Sequence, residues 1–358
     1  MAKIVVIGDK EVDLKFLKII LLNQGHEVFT NYCYEKAEEE IDEIRPDIVI
    51  IDVENDDTRG FELCQSIRKQ KRFHHIPVIL YCDLNDGDTA VTGFECGATD
   101  YISKPLDENE VKIRIDNRLD VIKTHLKAQA KNQAFTKEME TAVKSVNYPQ
   151  MDTILALAEL SQSRDDNTGK HLERMQKYTY VLAKEMQKNP KFASVLTDKF
   201  VAELTAAAPL HDIGKVGIPD KVLLKPGKLT PEEYEIIKTH TLIGDETLDN
   251  VVNTFGKSSF IDIGKKIARF HHERPDGTGY PDKLTDIPLE AAIMAIADVY
   301  DALRTKKPYK PAISHEKAIE IIKEGKGTQF LSETVDAFLN VEKTFSYIWL
   351  EYETMCSK

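Results

Sequence analysis

Hydrophobic positions change their period twice along this chain. Over the first 120 residues, short β-branched runs recur at Lys3-Ile-Val-Val-Ile-Gly8, His26-Glu-Val-Phe29, Asp47-Ile-Val-Ile-Ile51, Pro77-Val-Ile-Leu-Tyr81 and Asp100-Tyr-Ile-Ser103, with amphipathic stretches of helical length between them. Continuous apolar runs such as Ile48 to Ile51 suit strands covered on both faces, the condition of a parallel sheet built from βα repeats. Residues 1–120 are therefore predicted to form an α/β domain with a five-stranded parallel sheet. From Asp107 to about Tyr148 the alternation gives way to one long helix without Gly or Pro. Leu119, Ile122 and Leu126 make three steps of an a/d-like seam that dissolves at Gln129 and Gln133, short of a sustained coiled coil. A long helix with a partial apolar seam is costly to leave single in water, so 121–150 is predicted to be a signalling linker that pairs two copies of the chain as a homodimer. From Met151 onward helical periodicity takes over, and 151–358 is predicted to be an all-α bundle. Its tail carries an apolar helical stripe, Phe345, Ile348, Trp349, Tyr352 and Met355, expected to dock onto that bundle.

Length and charge narrow the function classes. The 358 residues suit two domains, each large enough to bury a core. A net charge of −12 argues against nucleic acid or an anionic membrane as partner, because an acidic field repels phosphates. The first residues show neither a basic leader nor a long apolar stretch, so a cytoplasmic protein is expected. Cys33, Cys64, Cys82, Cys96 and Cys356 have no paired spacing, which suits reduced thiols rather than disulfides or a Cys-zinc site.

Candidate chemistry gathers in two places. Ligands of parallel sheets collect at the carboxyl ends of the strands, where Asp9, Asp52 and Lys104 fall. In the helical half, five of the ten histidines, His171, His211, His240, His271 and His272, are interleaved with Asp212 and Asp298. Neutral imidazole and carboxylate suit Fe, Mn, Zn, Co or Ni, and this set exceeds what one tetrahedral ion needs, so two divalent ions are implied. Paired cations acidify water and clamp developing charge, the usual means of attacking a phosphate ester. Lys215 follows Asp212 at helical spacing, on the same face. A basic cluster, Arg304, Lys306, Lys307 and Lys310, follows the last of these ligands and suits an anionic substrate.

The motifs themselves are specific. Ser163-Arg-Asp, Thr168-Gly-Lys-His171, Ala206-Ala-Ala-Pro-Leu-His-Asp-Ile-Gly-Lys-Val-Gly-Ile-Pro-Asp220, His271-His-Glu-Arg-Pro-Asp-Gly-Thr-Gly-Tyr-Pro281, Ala295-Ile-Ala-Asp-Val-Tyr-Asp-Ala-Leu303 and Lys307-Pro-Tyr-Lys310 occur in that order. From about Ser163 through Ala337 the chain resembles the HD-GYP family of cyclic di-GMP phosphodiesterases. The resemblance implies that His171, His211, Asp212 and Asp298 ligate one ion and His240, His271 and His272 the other, with Asp212 bridging and Fe or Mn the expected metals. It implies catalysis by Asp212 and Lys215, a substrate pocket shaped by the Tyr280 loop, which also meets partner proteins, and a substrate clamp of Arg304, Lys307 and Lys310. Cyclic di-GMP would be opened to pGpG and further to GMP. The alternatives are preference for pGpG or 3′,3′-cyclic GMP-AMP, or an adaptor that does not hydrolyse and acts through the Tyr280 loop. Lys307 stands where many members carry Arg, and Asn167 where members with a third metal carry Glu, so a two-ion centre is expected.

The first domain resembles the receiver of two-component response regulators. That implies Asp52 as acceptor of a phosphoryl group from a sensor histidine kinase, Asp9 with Asp52 as holders of Mg²⁺, and Lys104-Pro105 beside the phosphoryl oxygen. Gly8 and Cys82 depart from the family's acidic pair and its hydroxyl switch, and a thiol is a poor donor, so a small response to phosphorylation is expected.

Overall fold

The computed structural model describes residues 1–54, 58–73, 76–83, 87–146, 148, 151–164, 170–305 and 312–356. The chain divides into two compact units, Met1–Lys127 and Ala128–Lys358. In the first, strands β1 (Lys3–Ile7), β2 (Glu27–Asn31), β3 (Ile48–Asp52), β4 (Val78–Cys82) and β5 (Asp100–Ser103) form one sheet in the order β2-β1-β3-β4-β5. All pairings are parallel. Helices α1 (Glu11–Asn23), α2 (Ala37–Ile44), α3 (Arg59–Lys69), α4 (Gly87–Glu95) and α5 (Glu108–Ser145) alternate with the strands. The continuous apolar runs have the expected cause. Ile4, Val6, Ile48 and Ile50 face one side with Leu14 and Leu17 of α1 and Val111 and Ile115 of α5, while Val5, Ile7, Val49 and Ile51 face the other with Ile41 of α2 and Leu63 and Ile67 of α3. This places the end of β3, and thus Asp52, at the carboxyl edge of the sheet.

The second unit is helical. After α5 come α6 (Met151–Gln162), α7 (Lys170–Gln187) and α8 (Asp198–Ala207), then a ten-residue 3₁₀ segment, Ala208–Gly217. There follow α9 (Asp220–Leu223), α10 (Pro231–Lys238), α11 (His240–Phe255), α12 (Ser259–Phe270), α13 (Leu289–Arg304), α14 (His315–Glu324) and α15 (Ser332–Cys356). α7 is buried around most of its circumference because α8, α13 and α15 all pack on it. Tyr178 of α7 stacks on Phe345 of α15 with ring centroids 4.5 Å apart, and meets Tyr300 of α13 edge-on at 5.5 Å. Phe345, Ile348 and Tyr352 are buried, so the tail stripe docks on the bundle.

The connector differs from its expectation. α5 is one helix as predicted, but 121–150 is not a separate linker, because the unit boundary at Lys127 cuts through α5. Leu119 and Ile122 turn onto the receiver core, while Met139, Phe135 and Ala142 join the core of the second unit. Of the three seam residues only Leu126 is left exposed, at 56 %. Packing on the first unit's core therefore uses two of the three apolar positions that the pattern offered to a partner helix. Among the described residues no helix is long and apolar enough to cross a membrane.

Candidate metal centre and receiver site

Four helical elements converge on one buried set of ligands. His171 opens α7, His211 and Asp212 lie on the 3₁₀ segment, His240 opens α11, and His271 and His272 follow the end of α12. Two triads result, His171 with His211 and Asp212, and His240 with His271 and His272, each with ligand atoms within 4.8 Å of one another. Asp212 joins them. Its Oδ2 lies 3.2 Å from Nε2 of His211 and its Oδ1 lies 3.5 Å from Nε2 of His240, so one carboxylate faces both triads.

The proton positions follow from the neighbours. Nδ1 of His211 faces the Ala208 carbonyl at 3.0 Å, that of His240 the Ile237 carbonyl at 2.7 Å, and that of His271 the Ile267 carbonyl at 2.9 Å. A carbonyl can only accept, so each Nδ1 carries the hydrogen and each Nε2 presents a lone pair. These lone pairs point at each other. Nε2 of His171 and Nε2 of His211 are 3.4 Å apart, and so are those of His240 and His271. Two acceptors at that distance repel, unless a cation sits between them. Nitrogens bonded at ~2.0–2.1 Å to one ion at a roughly tetrahedral angle are separated by about this much, so the donor set fits a divalent metal in each triad.

Electrostatics supports the same assignment. Burial pushes His271 down to about 3, helped by the neighbouring His240 and His211, and burial likewise lowers His272 and His240. Neutral imidazole is the ligating form. Burial also opposes ionisation of Asp212, but the Lys215 ammonium, together with the adjoining His211, outweighs it and holds the carboxyl well below the usual range. Lys215 Nζ stands 2.8 Å from Asp212 Oδ2, because the 3₁₀ repeat stacks residues three apart.

Asp298, on α13, is in neither triad, though its charge acts on both His211 and His271. Its neighbour one turn on was missed by sequence reasoning. Buried Asp301 accepts from His171 Nδ1 at 2.8 Å and from Nε and Nη2 of Arg174 at 2.5 and 2.8 Å. The Asp298-Val-Tyr-Asp301 spacing was the available signal, since i and i+3 share a helical face. Such a carboxylate fixes the tautomer and orientation of the ligand. Asp301→Ala should lower affinity for the ion in the His171 triad about 10–100-fold, while the other triad changes less, as read by competition with a metal chelator.

The Tyr280 loop folds back on the histidine pair. Buried Glu273 accepts from the Asp282 and Leu284 amides at 2.6 and 2.9 Å, and the Tyr280 amide donates to the His272 carbonyl at 3.2 Å. Gly279 is required there, because a Cβ would lie 2.4 Å from the Arg274 nitrogen and 2.6 Å from the Glu273 Cα. The Tyr280 ring consequently lies 4.7 Å from that of His272. Arg304 is turned elsewhere. It is 7 % exposed, with its guanidinium 4.2 Å over the Trp349 ring, so burial against an aromatic face replaces the expected substrate clamp. Lys307 and Lys310, like Asn167, lie outside the described residues.

At the receiver site Lys104 Nζ lies 2.6 Å from Asp52, 3.0 Å from Glu54 and 3.8 Å from Asp13. The three carboxylates form one acidic group with the ammonium among them. Asp9, expected beside Asp52, is drawn instead into an ion pair with Arg59 at 2.7 Å, while Asp13, at the start of α1, faces the site. Asp52 is 1 % exposed, and burial raises its carboxyl despite the opposing Lys104 charge. Gly8 leaves no room for a second acidic side chain, since its Cβ would fall 2.5 Å from that of Asp52. Cys82 is fully buried at the end of β4, and burial pushes its thiol up to about 11.

Comparison with known proteins agrees with both halves. Residues 4–116 match the response regulator receiver domain and residues 156–333 the HD domain. The chain is 40 % identical over 304 residues to the "Probable cyclic di-GMP phosphodiesterase" of Vibrio cholerae serotype O1, covering 84 % of this chain and 68 % of that protein. It is 33 % identical over 316 residues to the "Cyclic di-GMP phosphodiesterase response regulator RpfG" of Xanthomonas campestris pv. campestris, covering 88 % and 80 %. The "3'3'-cGAMP-specific phosphodiesterase 2" of Vibrio cholerae is 36 % identical over 190 residues, 52 % of this chain and 34 % of that protein. With a receiver domain, an HD domain holding two joined ligand triads, and two cyclic di-GMP phosphodiesterase relatives matched over 68 % and 80 % of their own length, the chain belongs to the family of cyclic di-GMP phosphodiesterase response regulators.

Proposed function

We propose that this response regulator hydrolyses cyclic di-GMP to pGpG, and pGpG to GMP, at a two-ion centre held by His171, His211, Asp212, His240, His271 and His272, with Asp298 completing the first ion's ligands. The observation that carries this reading is the Asp212 carboxylate, whose two oxygens face opposite triads. Bound as a pair, divalent cations supply an acidified water and neutralise charge on the phosphoryl oxygens. The carbonyls behind His211, His240 and His271, and Asp301 behind His171, keep four imidazoles in the ligating tautomer. Lys215 brings a positive charge beside the bridging carboxylate, where it can meet a phosphate oxygen in the transition state or give a proton to the leaving alkoxide. Imidazole and carboxylate without thiolate suit Fe or Mn, the pair that the family resemblance implies, and admit Zn, Co or Ni as well.

The test is to purify the full chain without oxygen and assay cyclic di-GMP, pGpG and 3′,3′-cyclic GMP-AMP with Fe²⁺ and with Mn²⁺. Metal-dependent turnover with cyclic di-GMP preferred, and close to two metals per chain, is expected. Turnover that survives complete chelation would overturn the reading.

Control through the receiver is expected to be shallow. A sensor histidine kinase is the fitting phosphoryl donor, but the Lys104 ammonium is already ion-paired with Asp52 at 2.6 Å, and Cys82 offers only a weak donor to a phosphoryl group. Acetyl phosphate should change kcat/KM by no more than about threefold, a bias under ~1 kcal/mol. A larger change that vanishes in Asp52→Ala would show a stronger switch.

A further inference from the structure

A cavity of about 310 Å³ opens from the His271 and His272 side of the centre. Tyr234, Lys238, Arg274, Thr278, Tyr280 and Gln329 line it, over an apolar floor that includes Val299 and Phe330. Tyr234, Lys238 and Gln329 lie outside every motif of the sequence, Arg274 and Thr278 stand in the motif around Tyr280, and the mechanism above uses none of them. Their order is informative. The Tyr280 ring lies 4.7 Å from His272, the Lys238 ammonium is 5.6 Å from the Tyr280 ring and 4.9 Å from the Tyr234 ring, and Tyr234 is 47 % exposed. Aromatic faces and a cation thus run outward from the histidine pair. A tyrosine ring presented to a cavity is a surface on which a nucleobase stacks.

The size of the cavity decides how much of the substrate it can take. It stands at the lower end of the ~300–1,000 Å³ range of pockets for drug-sized ligands, which suits one nucleotide rather than a whole cyclic dinucleotide. The polar groups decide which nucleotide. An arginine fork pairs with the O6 and N7 acceptors of guanine, the commonest base-specific contact, and adenine presents a donor where guanine has O6. Lys238, a compact charge between two rings whose 2.6 Å partner Glu235 is itself solvent-exposed, suits exchange onto a phosphate.

We propose that this cavity is a guanine subsite: it seats one guanosine unit of the substrate beside the His240, His271 and His272 triad, with Tyr234 and Tyr280 as stacking faces, Arg274 and Gln329 reading the base, and Lys238 meeting the phosphate. The proposal rests on the phosphodiesterase reading for its activity readout. It implies that a dinucleotide with one guanine, such as 3′,3′-cyclic GMP-AMP, enters by its guanine half, and that cyclic di-AMP is a poor ligand.

The experiment uses metal-loaded full chain and compares cyclic di-GMP with bis(p-nitrophenyl) phosphate, a phosphodiester without a base. In Arg274→Ala and Tyr234→Ala the ratio of kcat/KM for the first substrate over the second should fall tenfold or more, with KM for cyclic di-GMP rising. A second readout is equilibrium binding of pGpG to the EDTA-treated full chain, which should weaken by a comparable factor in the same variants and should exceed binding of pApA in the unsubstituted chain. Ratios within twofold of the unsubstituted chain, or equal binding of pGpG and pApA, would overturn the proposal. If neither substrate is hydrolysed the phosphodiesterase reading fails, and the two binding comparisons alone then support or overturn the subsite.

Discussion

Asp212→Ala should abolish turnover of cyclic di-GMP more completely than any other single substitution, by on the order of a thousandfold or more in kcat/KM. Histidine ligands serve one triad each, whereas Asp212 presents an oxygen to both. Removing it also leaves Lys215 beside His211 without the anion that now lies 2.8 Å from its ammonium, so a positive charge would remain at a site that must accept two cations. Metal content should therefore fall for both positions together. Asp212→Asn separates the two contributions, because the amide keeps the shape and one acceptor oxygen but not the charge. It should retain more metal than the alanine variant while losing most of the activity. Elemental analysis alongside initial rates checks both statements, and an alanine variant that turns over cyclic di-GMP at the unsubstituted rate would refute the bridging role.

Much of this centre was legible in the residues because its chemistry needs rare types at fixed intervals. His and Asp in such density have few structural uses, and Ile48–Ile51 marks a doubly covered strand because a parallel sheet buries both of its faces. What escaped depends on how elements turn in space. Arg304 reads as a clamp in a basic run, yet its place on α13 aims it at Trp349 of α15, an encounter between residues distant along the chain. Asp9 reads as the acidic neighbour of Asp52, yet Arg59 from α3 takes it and Asp13 from α1 faces the site instead. Asp301 looks like one more acidic residue until folding brings His171 and Arg174 against it. Tyr234, Lys238 and Gln329 carry no motif, and only the return of α10 and the segment after α14 toward the histidine pair makes them walls of one cavity. The connector's seam is a related case: period shows that a face is apolar and does not show which partner covers it.

Gly214 is the position where a single added methyl group should do the most damage. A Cβ there would stand 1.9 Å from the His240 carbonyl oxygen and 2.5 Å from the Gly244 nitrogen, and both obstacles are backbone that no rotamer change can move. The close approach has a function. It lets α11 press against the 3₁₀ segment, and that contact is what carries His240 to within 3.5 Å of the Asp212 carboxylate. Gly214→Ala must push α11 outward, which costs about 1–3 kcal/mol by the usual scale of overpacking, with this backbone clash at the upper end. Displacement along this direction separates the two triads before it disturbs either one internally. The expected result is a lower urea midpoint for the second unit, together with loss of activity at metal concentrations that saturate the unsubstituted chain. Gly217→Ala offers a graded comparison, since its Cβ would meet only the Ile243 side chain, at 3.0 Å, and that side chain can rotate. It should lose little of either property. Equal effects of the two substitutions would mean that the α11 contact does not set the spacing of the centre.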